Sequence, residues 1–275
     1  MTGGRPGHRG KTKPWGQPPQ LPIQARIGVI GPLRLVDTTP YEFYGVAGRD
    51  VIFTATSLGL RSFTQQAAQD AFEEIDDALD LLRLRAVDVV MLNGIPMLVN
   101  LEPNQISTFR ERAGAFAPRG GWTAVDACVA SIKAIGATRV AIASKWSDDL
   151  NAKLASVLAS KEIAVVGSVG RSDDMAEIQG DYAKGSVAAW DLAHAARVQY
   201  PSADMIFLAG AAWLTLHLLD DLEKEVGMPV VTGLQSTNWF ALNMVDAFEP
   251  RQGQGSLLRE LVDFEDLMLE TGSVP

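Results

Sequence analysis

The sequence predicts an α/β protein of two pseudo-symmetric lobes, each a parallel sheet flanked by helices, with the active cleft between them. Three observations carry this. The stretch Val87–Leu101, VDVVMLNGIPMLVNL, reads as a buried strand, Val89–Leu92, running into a tight turn at Asn93-Gly94-Ile95-Pro96. It has an echo at 203–217, ADMIFLAGAAWLTLH: at an offset of 116, Asp88 meets Asp204, Leu92 meets Leu208, Gly94 meets Gly210 and Leu98 meets Leu214. Arg26–Pro32 and Arg139–Lys145 match in the same way at an offset of 113. Finally, apolar strands alternate with helical patterns almost throughout, as in parallel sheets covered on both faces. Ligands of such sheets lie beyond the carboxyl ends of the strands, which puts Gly94 and Gly210 in the cleft. The expected division is a flexible arm over 1–23, a first lobe of 24–121 plus 238–275, and a second lobe of 122–237.

Taken in order, Ala25–Ile30 is an apolar strand ended by Gly31-Pro32. Leu33–Gly45 reads as a loop, with Asp37-Thr38-Thr39-Pro40 as its turn. Val51–Thr56 is the next strand. Thr64 suits an N-cap, and apolar residues recur at helical spacing from Ala68 to Leu82. After the Gly94 turn, Asn104–Phe116 is a helix with Pro103 at its start. Trp122–Ile135 is a further helix, stopped by Gly136. Arg139–Ala143 is a strand, and Ser147 with Asp148 and Asp149 opens the next helix. Ile163–Val166 is a strand, and Gly167–Gly180 a polar loop over the cleft. Then come helix Tyr182–Val198, strand Met205–Leu208, helix Leu214–Val226, strand Pro229–Thr232, helix Ser236–Phe248 capped by Ser236, and a last helix over Leu257–Leu269.

Composition bounds the function. The chain has 275 residues, 47% of them hydrophobic, a net charge of -9 and one cysteine. An acidic balance argues against a nucleic-acid or anionic-membrane partner, since phosphate contact needs a basic surface. No apolar run reaches membrane-spanning length. The N-terminus lacks the apolar core of a secretory signal. A single cysteine excludes an intramolecular disulfide or a cysteine metal cluster, and fits a reducing cytoplasm. Neither a P-loop nor a dinucleotide fingerprint occurs, so no cofactor and no metal is expected. The expected partner is a small organic acid. The basic residues of the arm are available to a neighbouring subunit in a homo-oligomer.

With the strand ends placed, the sequence resembles the aspartate/glutamate racemase superfamily, in its arylmalonate decarboxylase and maleate cis-trans isomerase branch. IGVIGP (Ile27–Pro32), DTTPYEFY (Asp37–Tyr44), SLGLRSFT (Ser57–Thr64), AIGATRVAIASKWSDDLNAKLASVL (Ala134–Leu158) and EVGMPVVTGLQSTNWFAL (Glu225–Leu242) carry the likeness, over roughly residues 25–245. The resemblance implies chemistry next to a carboxylate, with one or two cysteines moving protons at the α-carbon or attacking the double bond, and amide and hydroxyl donors holding the carboxylate and the enediolate. This chain departs from the pattern. The two cysteine positions fall at or beside Gly94 and Gly210, Ile95 and Pro96 replace hydroxyl donors, and Trp146 and Ala68 replace tyrosines.

The candidate residues follow from these placements. Gly94, Ile95, Gly210 and Ala211 can bring backbone N–H groups to a carboxylate, or simply close tight turns. Asn93 suits a carboxylate donor or a turn. Lys145, at a strand end, suits neutralisation of a carboxylate or proton transfer, or plain solvation. Asp37 and Tyr44 in the first exit loop suit acid–base roles, with Asp37 also reading as a turn cap. Arg61 is a candidate carboxylate clamp, Gln235 a candidate contact after the last strand, and Trp146 an apolar wall. Cys128 reads as a buried structural thiol. The activity that the resemblance implies is a cofactor-independent lyase: decarboxylase-like C–C cleavage of a malonate-type or related small acid through an enediolate, driven in part by an apolar pocket around one carboxylate. The alternatives are a cysteine-independent isomerase or racemase, or a non-catalytic carboxylate-binding paralogue.

Overall fold

The structure, a computed structural model, describes residues 22–170, 182–210 and 213–270. Two four-stranded parallel sheets form its frame. The first contains β1 (Ala25–Gly31), β2 (Val51–Ser57), β3 (Val89–Leu92) and β4 (Gly121–Thr123), in the order β2-β1-β3-β4. The second contains β5 (Arg139–Ser144), β6 (Ala164–Val169), β7 (Met205–Ala209) and β8 (Val230–Thr232), in the order β6-β5-β7-β8. The orders are the same, so the echo in the sequence is an echo in topology. β1 pairs with β3 from Ile27 opposite Val89, and β5 with β7 from Val140 opposite Met205. β3 and β7 are fully buried along their length, because helices cover both faces of each sheet.

The acidic residue that precedes each central strand has a structural task. Asp88 Oδ2 accepts the backbone N–H of Arg26 at 2.7 Å, at the start of β1. Its counterpart Asp204 accepts from the backbone N–H groups of Thr138 and Arg139, and from the Arg139 guanidinium at 2.8 Å, at the start of β5. Both pin the amino ends of the strands, opposite the cleft. The Arg139 guanidinium, followed by the Thr138 and Arg139 amides, holds the Asp204 carboxyl down to about 2.

Eleven α-helices are described. In the first half they are α1 (Thr38–Val46), α2 (Gln65–Phe72), α3 (Ile75–Arg83), α4 (Ile95–Leu98), α5 (Pro103–Gly114) and α6 (Ala124–Ala134). In the second they are α7 (Asp148–Ala159), α8 (Tyr182–Gln199), α9 (Leu219–Val226), α10 (Gly233–Met244) and α11 (Phe264–Glu270). The helices that follow the last strand of each lobe, α6 and α10, pack on each other between the sheets, where the Ser131 and Ser236 hydroxyls meet at 2.8 Å.

Several expectations change. The expected loop after β1 is helix α1: Asp37 is its N-cap, accepting the Thr38 N–H at 2.7 Å, and Pro40 sits harmlessly in its first turn. The helix read over 65–82 breaks at Glu73-Glu74 into α2 and α3. Trp122 belongs to the short strand β4, not to a helix, so the first sheet reaches Thr123, past the boundary expected at 121. Ser236 does not cap α10. Thr232 does, by a capping box with Gln235, and the helix starts three residues earlier. The helix expected over 214–226 is a 3-10 turn, Leu216–Leu218, followed by α9, and the one over 257–269 is a 3-10 turn, Ser256–Leu258, and α11. Gly167–Val169 continue β6, and residues 171–180 of the expected cleft loop lie outside the described residues.

Two predictions follow from this frame. Gly94 has φ +99°, and a Cβ there would lie 2.5 Å from the Pro32 ring, so Gly94→Ala is expected to cost about 1–3 kcal/mol for the strained backbone alone, read as a lower urea midpoint. Asp204 titrates lower in the folded than in the unfolded chain. Its contribution is therefore complete above about 3.8 and is lost as pH falls towards about 2. Asp204→Asn should lose less stability than the parent over that window in acid-unfolding scans.

Candidate active site

The carboxyl ends of the strands from both sheets converge on one cavity. Val29 and Gly31 of β1, Asn93 and Gly94 beyond β3, Lys145 beyond β5 and Ala209 and Gly210 at the end of β7 all line it. Further residues come from helix starts: Thr38 and Thr39 of α1, Ala124 of α6, and Gly233 and Leu234 of α10. The location is a consequence of parallel strands, which point all their carboxyl ends one way.

Backbone geometry supplies donors. Thr123 and Thr232 cap α6 and α10, each taking the N–H of the third helical residue, Asp126 or Gln235. The first two N–H groups of each helix have no partner within it, and the helix dipole adds partial positive charge there. The strand-end turns bring backbones close together. Pro32 fills the space a side chain at Gly94 would need, and a Cβ at Gly233 would lie 3.3 Å from the Gly210 carbonyl oxygen. Gly210 has φ +141°. Asn93 is buried, and its Oδ1 has no hydrogen-bond partner within the described protein. The same side chain carries an NH2 group, whose two donors are what a carboxylate needs.

One cation stands among these donors. Lys145 is half-buried, and its Nζ lies 5.1 Å from the centroid of the Trp213 ring. A ring face attracts an ammonium by about 0.5–2 kcal/mol, which helps to hold Lys145 at the wall. The turn that carries it is fixed from behind: the Ser144 hydroxyl accepts the Trp146 N–H at 3.0 Å and donates to Asn151 Oδ1 at 2.8 Å. The rest of the lining is largely apolar, with Leu33, Val36, Phe63, Ile95 and the buried Trp146 and Trp213 among it.

The structure thus brings together Lys145, Asp37, Asn93, Gly94, Ile95, Trp146 and Gly210. It sets three others apart. Tyr44 lies near the far end of α1, about 9 Å along the axis from Thr38 at 1.5 Å per residue. Its ring is 53% exposed, and its hydroxyl accepts the Phe53 N–H at 3.2 Å, on the edge strand β2. Arg61 is exposed in the segment before α2, and Phe63 supplies the wall from that segment instead. Gln235 is fully buried and spent on structure, accepting the Thr232 N–H and donating to the Gln254 carbonyl at 2.7 Å. Ala211 lies outside the described residues.

The sequence reading passed over Thr38 and Thr39 as site residues, although both line the cavity, as does Thr237. A capping Asp followed by two threonines was the available signal for the first two. The single cysteine, Cys128, is fully buried in α6 outside the lining, and burial pushes its thiol well above the ordinary range. Among the described residues, no group of three acidic, histidine or cysteine side chains could hold a metal ion, and no helix is long and apolar enough to cross a membrane.

Comparison with known proteins agrees with this geometry. The family model described as arylmalonate decarboxylase matches residues 28–258. Arylmalonate decarboxylase from Bordetella bronchiseptica is 28% identical over 214 residues, 77% of this chain and 88% of that protein. The crystal structure of a glycine-to-cysteine, cysteine-to-serine double variant of arylmalonate decarboxylase, in its liganded form, superposes with a TM-score of 0.74 at 26% identity, covering 85% of this chain and 98% of that one. The maleate isomerase of Pseudomonas putida S16, crystallised with maleate, shares the fold, with a TM-score of 0.72, 18% identity and coverage of 85% and 97%. The two-lobed α/β architecture, the cavity at the joined strand ends and a family match over most of its length lead to one conclusion: the chain belongs to the arylmalonate decarboxylase family.

Proposed function

We propose that this protein is a cofactor-independent lyase that decarboxylates a malonate-type or related small organic acid. The observation that carries the reading is one cavity with two kinds of wall. Strand-end amides, helix starts, Asn93 and Lys145 offer donors and positive charge, while the rest of the lining is largely apolar. Two carboxylates on one carbon would be treated unequally in such a cavity.

The carboxylate that stays is held by the amides at Gly94, Ile95, Gly210 and Gly233 and by the Asn93 side chain. The carboxylate that leaves faces the apolar wall, where its charge is poorly solvated. Its C–C bond breaks, carbon dioxide departs, and the bonding pair moves into the remaining carboxylate as an enediolate. Donors aimed at that growing charge lower the barrier, at about 2.7–4 kcal/mol for a single well-placed one. The α-carbon then takes a proton from the Lys145 ammonium, and the amine is reprotonated from water. Asp37, capping α1, orients the Thr38-Thr39 turn that lines the cavity. Trp146 forms part of the surface for the apolar substituent.

Proton NMR in D2O with a panel of aryl- and alkylmalonates is the direct test. Loss of a diacid with appearance of the α-deuterated monoacid is the expected result, and a panel left untouched would sink the proposal. Deuterium entering an unreacted monocarboxylate would indicate racemase-type proton transfer instead. Lys145→Ala is expected to lower kcat by about 10²–10⁴-fold, the usual share of a positioned general acid, with a smaller effect on KM. Cys128→Ala should leave turnover unchanged, because the thiol lies outside the cavity. Abolished turnover in a folded Cys128→Ala protein would contradict the thiol-free mechanism.

A further inference from the structure

Glu42 is a buried acid that the chemistry above does not use. It is 2% exposed, in the middle of α1, and its carboxylate reaches across to the other lobe. There it accepts the Thr215 N–H at 2.8 Å and the Leu216 N–H at 3.2 and 3.3 Å. Burial pushes its carboxyl up, and the two amides oppose that by favouring the charged form.

Both ends of this tie lead to the cavity. On its own helix, Thr38 and Thr39 line the cavity and lie four and three residues before Glu42, on the same face one turn away. On the other side, Thr215 follows two residues after Trp213, whose ring carries the Lys145 ammonium. A side chain at Gly45 would already touch Leu216, so α1 and this segment are in close contact.

The other half of the molecule has a device at the matching place. The offset of 116 that relates Gly94 to Gly210 relates Asn100 to Leu216. Asn100 is buried and ties cavity-lining segments together: its amide nitrogen donates to the Phe63 carbonyl at 3.0 Å and the Pro96 carbonyl at 2.8 Å. Its oxygen accepts from Lys153 of α7, in the opposite lobe, at 2.9 Å. Each half thus fixes the chain just past its glycine turn to a helix of the other half. One tie is a carboxylate taking backbone N–H groups, and the other is a side-chain amide oxygen taking a lysine ammonium.

We propose that Glu42 is a positioning residue: by holding the Thr215 and Leu216 amides it sets the Trp213 wall, and with it the place of the Lys145 ammonium. This rests on the role given to Lys145 above, but its test needs no substrate. The indole N–H of Trp213 is followed by nitrogen-15 NMR, identified by its loss in Trp213→Phe. Lys145 is followed by carbon-13 dimethylation, identified by its loss in Lys145→Arg. Glu42→Ala is expected to shift the Trp213 signal and move the Lys145 signal away from its ring-shifted position. Glu42→Gln keeps an oxygen for both amides and should leave both near their original places. Leu82→Ala, which destabilises the core away from the cavity, should move neither. Glu42→Asp, one methylene too short, replaces Glu42→Ala if that variant does not fold. Unmoved signals in a folded Glu42→Ala or Glu42→Asp protein, or an equal displacement in Leu82→Ala, would overturn the proposal. Turnover unaffected by Lys145→Ala, with these shifts intact, would remove the lysine's chemical role and leave the positioning in place.

Discussion

Close approach of backbone to backbone at the strand ends is the constraint on which the rest of the site depends. Pro32, at the exit of β1, occupies the space where a side chain at Gly94 would stand. In the other lobe, the Gly210 turn at the exit of β7 lies against Gly233, at the start of α10. Both turns bring peptide groups within reach of the cavity, and both need φ values that only glycine adopts without strain. The parallel sheets set the direction of these turns, since burial on both faces leaves only the strand ends for a ligand. Duplication then makes two such ends face each other.

The cavity built this way divides its labour between backbone and side chains. Backbone amides survive every substitution except one to proline, so they suit a permanent task such as holding charge. The side chains differ more freely. Where the resemblance to the superfamily implies cysteines and tyrosines, this chain carries glycine, tryptophan and alanine. A lysine is seated on a tryptophan ring at the cavity wall. In the proposed reaction the backbone stabilises the enediolate and the lysine delivers the proton. The bond-breaking step needs no thiol, which is consistent with a single cysteine sealed in α6.

The architecture was legible in the sequence because it is written twice. Asp88 and Asp204, Leu92 and Leu208, and Gly94 and Gly210 keep their spacing, and in the structure each pair falls at the matching place in its sheet. Local chemistry at helix ends was harder to read. Asp37-Thr38-Thr39-Pro40 serves equally as a turn or as a capped first helical turn, and only packing of α1 against Phe53 and Leu216 decides for the helix. Reading it as a loop is what placed Tyr44 at the cleft. Gln235 was misread for a related reason: with Ser236 taken as the cap, the capping-box partner of Thr232 looked free to bind a ligand. Trp122 sits in a strand of three residues, too short to show a period of two. Glu42 could not have been found from sequence, because its partners are backbone groups 173 and 174 residues away.

The central claim is that a carboxylate binds at the amides of the two glycine turns. A titration of nitrogen-15-labelled protein with a non-decarboxylating arylacetate tests it most directly. The account predicts that the largest amide shifts occur at Gly94, Ile95, Gly210, Gly233 and Leu234, with the Asn93 side-chain amide moving alongside them. Shifts centred on Arg61 and Tyr44, with the glycine-turn amides unmoved at saturation, would contradict it.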